Sequence, residues 1–332
     1  MMKATNMKTI LVPTDFSKEA DNAFLYAVDM ARKLKADILL FHAFHHPIFS
    51  PFPYNEDEKK LELREEKLEQ LQTHICKLLR SLFRDYSVNY NATGTPSSSL
   101  PNGFYTIILK GKDAEADAVY ITCVCTFGLT TEEILKACNV YNANLVVMGM
   151  RGAGAISQAL IGSTTTAIIL NSEVPVLSIP AHRKFEGLKS IVAAVNLANL
   201  PDLQLLAPLR TIVKAFESKL HVLHLHKEEV LQEEQDLAPN TLEKLHEHLS
   251  DIDLNVQFKR ADEISQGIQD YVQEQQADLL VLIPGENTFL NRLLSKTTTM
   301  QVAAKAYVPL LTLPTTAPEA KPTQERADKN QI

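Results

Sequence analysis

The sequence predicts an α/β protein built from two tandem, doubly wound, mostly parallel five-stranded sheets that associate as a pseudo-dimer. Apolar, β-rich runs alternate with stretches of helical periodicity in both halves of the 332-residue chain, which is the pattern of βαβ units. The halves also repeat each other, because residues 144–180 align without a gap on residues 278–314 at an offset of 134 positions. The identical positions are mostly apolar or turn-forming, so the repeat indicates a shared fold.

The repeat also sets the domain limits. We expect a first domain over residues 1–182, with an insertion near residues 88–116, and a second domain over residues 187–314. Two domains agree with the length of the chain, since one domain typically takes roughly 150 residues. The polar, charged and proline-containing residues 315–332 are expected to be a disordered tail.

The first half opens with the strand TILVPTDFS, which is followed by a helix and then by a second strand, ADILLFHAF. Ser17 is expected to cap the start of this helix. One apolar face recurs at helical spacing and predicts packing against a sheet. Its residues are Ala20, Phe24, Ala27, Ala31 and Leu34.

A long helix is predicted over the segment NEDEKKLELREEKLEQLQTHICKLLRSLF. It could cover the sheet or form a short coiled-coil seam, and Arg64 favours the first alternative because it interrupts the seam. The apolar side of this helix comprises Leu61, Leu68, Leu71, Ile75, Leu78 and Leu82.

The insertion that follows the helix combines turn formers with one β-rich run and predicts an extra hairpin.

Composition excludes several classes of function. The formal net charge of −7 argues against a nucleic-acid partner, because phosphate backbones are bound by clustered lysine and arginine. No apolar run approaches the roughly 20 residues that cross a bilayer, and the short polar start is unlike a signal peptide, so we expect a cytoplasmic protein without a membrane partner. Cys123 and Cys125 share a strand face without a metal-binding spacing, so the four cysteines are expected to be buried structural thiols.

The segment MGMRGAGAISQALIGST, residues 148–164, contains four of the eleven glycines of the chain. It joins a buried strand to a helix that begins near Ser163, which is where ligands bind in open α/β sheets. Bare backbone N–H groups and a helix N-terminus together form an anion cradle suited to nucleotide phosphates. The segment lacks the lysine of a Walker A loop, and GAGAIS ends in Ser157 instead of the third glycine of a dinucleotide fingerprint.

The spacing Gly149-x2-Gly152-x9-Gly162-Ser163 resembles that of nucleotide-binding members of the universal stress protein family. The opening segment ILVPTDFS and the closing strand VPVLSIP resemble that family too, and the likeness covers nearly the whole chain as two copies. The resemblance implies binding of an adenine nucleotide, and leaves open whether it is ATP, ADP or AMP. Mg²⁺ is expected with it, because nucleotide phosphates carry this ion.

The resemblance also implies which residues contact the nucleotide. Those implied beside the adenine and ribose are Asp15, Pro13 and Thr14, with Ala43 contributing backbone contacts to the adenine. Those implied by the ribose and first phosphate are Met148 and Gly149, and those implied at the remaining phosphates are Gly152, Gly162, Ser163 and Thr164.

The second half departs from this pattern. At the offset of 134 the glycine positions become Ile283, Glu286 and Lys296, and Asn196 replaces Asp15 in the aligned opening strands. Side chains then occupy positions that need bare backbone, and Glu286 would repel a phosphate. We therefore expect no nucleotide at this half.

The expected role of the second half is to pair with the first. The closing strands, Val174–Ile179 and Val308–Leu313, are the expected pairing edges, since the family resemblance implies association through closing strands. It also implies a homodimer of tandem chains.

The histidines of the segments FHAFHHP and LHVLHLH, the second of which includes His221, raise a metal hypothesis. His42 and His46 share one strand face, and His224 and His226 share another, so either pair could bind zinc. Neither pair has a third ligand in register, so we favour solvent-facing histidines at strand ends and no metal site.

Catalysis is not favoured. Arg151 is the only nearby fixed cation, and Asp15 is the only acid that the motif places. We favour a nucleotide-binding stress or regulatory protein with at most slow hydrolysis. The alternatives are a slow ATPase or phosphotransferase acting through Asp15 and Arg151, and a scaffold that binds no nucleotide.

Overall fold

The fold is a single mixed sheet covered by helices on both faces. In a computed structural model, the described residues are 7–45, 56–91, 104–111, 118–150, 161–195, 197, 203–226, 241–282 and 308–314. The first half contains β1 Thr9–Pro13, α1 Lys18–Leu34, β2 Asp37–Phe44, α2 Glu56–Leu82, β3 Tyr86–Asn91, β4 Tyr105–Gly111, β5 Val119–Phe127, α3 Thr130–Val140, β6 Leu145–Gly149, α4 Ser163–Asn171 and β7 Val176–Ile179. The second half contains β8 Ser190–Ala194, a 3₁₀ turn Leu203–Leu206, α5 Ala207–Phe216, β9 Lys219–His226, α6 over 241–248, β10 Leu254–Arg260, α7 Ile264–Glu274, β11 Leu279–Leu282 and β12 Leu310–Thr312.

The strand order is β10-β9-β8-β11-β12-β7-β6-β1-β2-β5-β4-β3. Each half contributes five mutually parallel strands, β5-β2-β1-β6-β7 and β10-β9-β8-β11-β12. Helices α1 and α2 share a core with one face of the first half, while α3 and α4 share a core with the other. This double winding confirms the predicted fold class.

The two halves join through the closing strands, as predicted. β7 and β12 pair antiparallel, with Leu177 opposite Leu311, Ser178 opposite Leu310 and Val176 opposite Thr312. Residues 177 and 311 are 134 positions apart, so the local pseudo-two-fold axis passes through this central pair. The pairing merges the two expected sheets into one sheet of twelve described strands.

The insertion forms the expected hairpin. β3 and β4 pair antiparallel, with Tyr86 opposite Gly111, and β4 pairs antiparallel with β5. The residues that connect the two strands, 92–103, lie outside the described part of the chain. The hairpin extends the sheet beyond β5, so the described part of the first half has seven strands and that of the second half has five.

Helix α2 covers β3, β4 and β5, which supports the sheet-covering interpretation over the coiled coil. Leu68, Leu71 and Ile75 are buried as predicted, but Leu61 and Leu82 are 47% and 57% exposed and do not belong to the packed side. The helix has 27 residues and is about 40 Å long, which exceeds the length of the strands of six to nine residues beneath it.

Local predictions in the first half are confirmed. The Ser17 hydroxyl accepts a hydrogen bond from the Ala20 N–H at 3.1 Å, as an N-cap residue should. Every predicted core position of α1 is buried. All four cysteines are buried free thiols, and burial raises the pKa of Cys125 and Cys138 to about 12, so both stay protonated.

The repeat extends to side chains that fasten the sheet. Asn144 Oδ1 accepts hydrogen bonds from the N–H groups of Lys8 and Thr9, at 2.8 and 3.0 Å. Asp278, 134 positions later, accepts the corresponding bonds at 2.7 and 3.0 Å from the residues that open β8. Each half therefore fixes the start of its first strand with a side chain just before its fourth parallel strand.

The linker between the halves packs on α1. The Asn22 side-chain amide donates hydrogen bonds to the carbonyl oxygens of Pro180 and Arg183, at 3.2 and 3.1 Å. Tyr26 meets Phe185 edge to face with ring centroids 5.0 Å apart, and α1 also contacts α5 of the second half. These contacts join the halves away from the β7–β12 seam.

Candidate functional site

The predicted site residues converge on the carboxyl ends of β1, β2 and β6. β1 lies between the other two strands, with Pro13 opposite Phe41 and Leu11 opposite Val146. The chain winds from β1 through β2 in one direction and through β6 in the other, so the strand order reverses between β1 and β6. Ligands of open α/β sheets bind in the crevice at such a reversal.

The loop after β1 is held in a specific conformation. The Thr14 N–H donates to the Phe41 carbonyl at 2.9 Å, which continues the β1–β2 ladder by one residue. Asp15 is exposed at this edge, and its Oδ1 accepts a hydrogen bond from the Ser17 N–H at 3.0 Å. The Asp15 carboxylate therefore lies beside the start of α1, while Ser17 caps that helix.

Phe16 completes the loop with a backbone φ of +64°, a region that residues other than glycine rarely occupy. Its N–H donates to the Thr14 hydroxyl at 3.1 Å, and Thr14 itself is buried. A threonine hydroxyl that accepts a hydrogen bond from the N–H two residues later forms an ST turn, which stabilises the loop.

The start of α4 lies directly beside the end of β6. The Gly162 N–H donates to the carbonyl of Met150 at 2.6 Å. The Thr165 hydroxyl donates to the carbonyl of Gly149 at 2.9 Å and is buried. Gly162 is the N-cap residue and supplies no side-chain hydrogen bond, so the first N–H groups of α4 have no cap from their own helix.

Two hydroxyl residues open this helix. Ser163 is exposed, and Thr164 is half-buried. The positive end of the α4 dipole and these two residues therefore lie at the carboxyl edge of the sheet, an arrangement that favours anions. Met148 and Gly149 at the end of β6 are buried beneath this edge, and Ala43 near the end of β2 is half-buried.

Several predicted positions lie outside the described residues. In the first half these are Gly152 and Arg151, and in the second half they are Asn196, Ile283, Glu286 and Lys296. Nine of the ten residues that the resemblance implied at the nucleotide are described, all except Gly152: they are Pro13, Thr14, Asp15, Ala43, Met148, Gly149, Gly162, Ser163 and Thr164.

The expectation of solvent-facing histidines is wrong for three of them. His42, His221 and His224 are all buried. β2 lies between β1 and β5, and β9 lies between β8 and β10, so both are interior strands that helices cover on their two faces. The signal in the sequence was a polar residue within an apolar run such as LLFHAF, which is unusual for an interior strand.

Sequence reasoning missed the role of His42 at this edge. Its Nδ1 lies 2.8 Å from the carbonyl oxygen of Thr14, and its ring meets that of Phe16 edge to face at 4.7 Å. Burial lowers the pKa of His42, the hydrogen bond to Thr14 opposes this shift, and the charge of Lys67 adds to it. The imidazole is therefore neutral at pH 7.

The described residues contain no group of three or more histidine, cysteine or acidic side chains that could hold a metal ion. The His224 and His226 rings are 6.4 Å apart, and His46 lies outside the described residues. None of the helices that the structure describes is long and apolar enough to cross a bilayer.

The sequence is similar to those of known proteins of one family. The sequence model of the universal stress protein family matches residues 6–180 and again residues 188–314. A universal stress protein of Thermus aquaticus is 28% identical over 171 residues, which are 51% of this chain and 96% of that protein. One from Methanocaldococcus jannaschii is 24% identical over 177 residues, which are 53% of this chain and 84% of that protein.

A solved structure extends the likeness to both halves. The crystal structure of a universal stress protein from Archaeoglobus fulgidus superposes with a TM-score of 0.62 at 17% identity. The match covers 93% of this chain and 99% of that one, so the likeness in fold extends over both halves.

Proposed function

This chain belongs to the universal stress protein family, and we propose that its amino-terminal half binds an adenine nucleotide in a stress-response or regulatory role. One working site per chain is proposed, at the carboxyl ends of β1, β2 and β6. ATP is the nucleotide that we propose to test first, because the site offers a helix start for a chain of phosphates.

One observation carries the proposal: the start of α4, without a side-chain cap, is fastened to the end of β6. The hydrogen bonds from Gly162 to Met150 and from Thr165 to Gly149 hold it there. N–H groups at a helix start attract phosphate oxygens, and the dipole adds to the attraction. Met148 and Gly149 precede this helix start at the same edge of the sheet.

The remaining residues divide between the two ends of the nucleotide. Pro13, Thr14, Asp15 and Ala43 are proposed at the adenine and ribose, with Met148 and Gly149 beside the ribose and first phosphate. Gly152, Gly162, Ser163 and Thr164 are proposed at the other phosphates. Mg²⁺ bound to the nucleotide would neutralise phosphate charge, and the oxygens of Asp15 and Ser163 are of the kind that it prefers.

The second half is proposed to bind no nucleotide in this way. The proposal rests on its sequence, in which Glu286 and Lys296 stand at positions equivalent to glycines of the first half. A carboxylate at a phosphate site costs binding energy through repulsion. Its proposed contribution is to complete the sheet with the first half.

The test is a matched pair of substitutions at Gly162. Its backbone, with φ −61° and ψ 152°, accepts any residue, and both aspartate and asparagine are good N-caps. Gly162→Asp adds a carboxylate, which at about 5 Å repels a phosphate charge by roughly 1 to 3 kcal/mol. Gly162→Asn adds a side chain of the same shape without the charge.

ATP binding to the full chain is measured by titration calorimetry. We expect saturable binding at one site, binding that is roughly fivefold to 150-fold weaker in Gly162→Asp than in Gly162→Asn, and unchanged thermal stability in both. Gly111→Asp, on the hairpin away from the site, controls for the change in net charge. A wild-type chain that binds no ATP, or equal affinities in the two Gly162 variants, contradicts the proposal. Phosphate release in the same samples reports whether bound ATP is hydrolysed.

A further inference from the structure

The two halves build the loop after their first strand on the same frame. The Thr14 N–H donates to the Phe41 carbonyl, and the Val195 N–H donates to the Leu223 carbonyl, both at 2.9 Å. The next residue along the second strand is a buried histidine in each case, His42 or His224. Each imidazole lies against the carbonyl that follows the first strand, so the two sites are equivalent positions of the repeat.

The histidines differ in what their Nδ1 atoms meet. His42 Nδ1 lies 2.8 Å from the Thr14 carbonyl oxygen. A carbonyl oxygen only accepts, so His42 Nδ1 carries the proton and donates it. The Phe16 N–H, which also points into this loop, is already satisfied by the Thr14 hydroxyl at 3.1 Å.

The second half has valine at the position of Thr14 and therefore no hydroxyl for the equivalent N–H. There the N–H of Leu197 donates to His224 Nδ1 at 3.2 Å, and the Val195 carbonyl lies at the same distance from that atom. One nitrogen cannot accept and donate at once. Buried N–H groups without a partner are rarer than under-satisfied carbonyls, so His224 Nδ1 accepts and its proton is on Nε2.

We propose that His42, held in its Nδ1-protonated form by the Thr14 hydroxyl, is a positioning residue for the nucleoside end of the site. This inference rests on the proposed nucleotide binding. His42 fixes the Thr14 carbonyl, and its ring packs against Phe16, whose φ of +64° needs such support. Asp15 lies between Thr14 and Phe16 in the chain, so fixing these two neighbours keeps the Asp15 carboxylate at the edge of the sheet.

The tautomers are measured first, because that result does not depend on nucleotide binding. In the full chain with ¹⁵N-labelled histidine, the ring nitrogen shifts distinguish Nδ1–H from Nε2–H, and the His42→Asn and His224→Asn variants assign the signals. We expect Nδ1–H for His42 and Nε2–H for His224. Thr14→Val should convert His42 to the state of His224. An Nε2–H tautomer at His42 in the wild type overturns the proposal.

ATP affinity then tests the positioning role. His42→Leu should weaken ATP binding at least about tenfold, whereas His42→Asn, whose amide can donate near the position of Nδ1, should recover most of that loss. His224→Leu makes the same change in the second half and should leave affinity unaltered. Thr14→Val serves as the second variant if His42→Leu does not fold, and it should weaken binding together with the change of tautomer.

The two failures are distinguishable. A wild-type chain without ATP binding refutes the proposed function, although the tautomers can still be as expected. A wild-type chain that binds ATP, with folded His42→Leu and Thr14→Val variants of unchanged affinity, refutes the positioning role alone. Equal losses in His42→Asn and His42→Leu also refute it, because the hydrogen bond would then have no part.

Discussion

The hydrogen bond between the Thr165 hydroxyl and the Gly149 carbonyl should fasten the start of α4 to the end of β6. It is 2.9 Å long and buried. Thr165→Val removes the hydroxyl and puts a methyl group of similar size in its place, so the change leaves no large cavity. The variant therefore isolates the hydrogen bond from packing.

The size of the effect follows from the burial of this bond. A neutral hydrogen bond contributes about 1 kcal/mol net, and the loss approaches about 2 kcal/mol when the remaining partner is buried. We expect the unfolding free energy to fall by about 1 to 2 kcal/mol. If half of this loss appears in binding, because α4 is no longer fixed against β6, ATP affinity falls by roughly twofold to fivefold.

Urea unfolding measures the stability change, and titration calorimetry measures the affinity. Thr166→Val is the matched control, because it makes the same chemical change at the adjacent, half-buried position of the same helix turn. Thr165→Ser should retain most of the stability, since it keeps the hydroxyl. Equal effects of Thr165→Val and Thr166→Val on both quantities would refute the reasoning.

Two further predictions concern the seam and pH. Ser178 is fully buried at the β7–β12 seam, and its hydroxyl has no hydrogen-bond partner among the described residues, whereas the Thr312 hydroxyl donates to the Val176 carbonyl at 3.2 Å. Ser178→Ala should therefore raise the unfolding free energy by about 1 kcal/mol, and Thr312→Val should lower it by about as much. Urea unfolding measures both changes. A lower unfolding free energy in Ser178→Ala contradicts the argument. Burial lowers the pKa of His42 and His221, so the unfolded chain takes up protons that the folded chain excludes, and stability should fall as the pH drops below about 6.5. The unfolding free energy changes by at most about 1.4 kcal/mol per pH unit for each histidine. Between pH 7.0 and 5.5, the unfolding free energy should fall less in His42→Asn than in the wild-type chain. An identical fall in both would exclude His42 as a source of the pH dependence.

Much of the fold could be predicted because it depends on residues close together in sequence. The apolar face of α1 and the cap at Ser17 are set by spacing and by one side chain, and both are confirmed. The pairing of the closing strands was predicted from the family resemblance and from the presence of two copies in one chain, and it is confirmed. The exposed ends of α2 were not predictable, because periodicity shows which face is apolar but not how far the sheet beneath it extends.

The position of the site at the edge of the sheet was also predictable from residue spacing, but the burial of His42 was not. The glycine spacing and Asp15 mark the carboxyl edge of the sheet, and the structure places β1, β2 and α4 there. His42 was misjudged because alternation along a strand does not reveal whether both faces of that strand are covered. Its burial follows from the position of β2 inside the sheet, which depends on strands far away in the sequence.

The sequence by itself determined the two-fold repeat, the order of strands and helices, and the loss of the glycine spacing in the second half. These are properties of composition and of spacing along the chain. Only the tertiary structure decided the register in which the closing strands pair, with Leu177 opposite Leu311, and showed that the Thr14 hydroxyl leaves His42 Nδ1 free to donate. Thr14 and His42 are 28 residues apart, and their contact exists because parallel pairing of β1 with β2 brings them to the same edge.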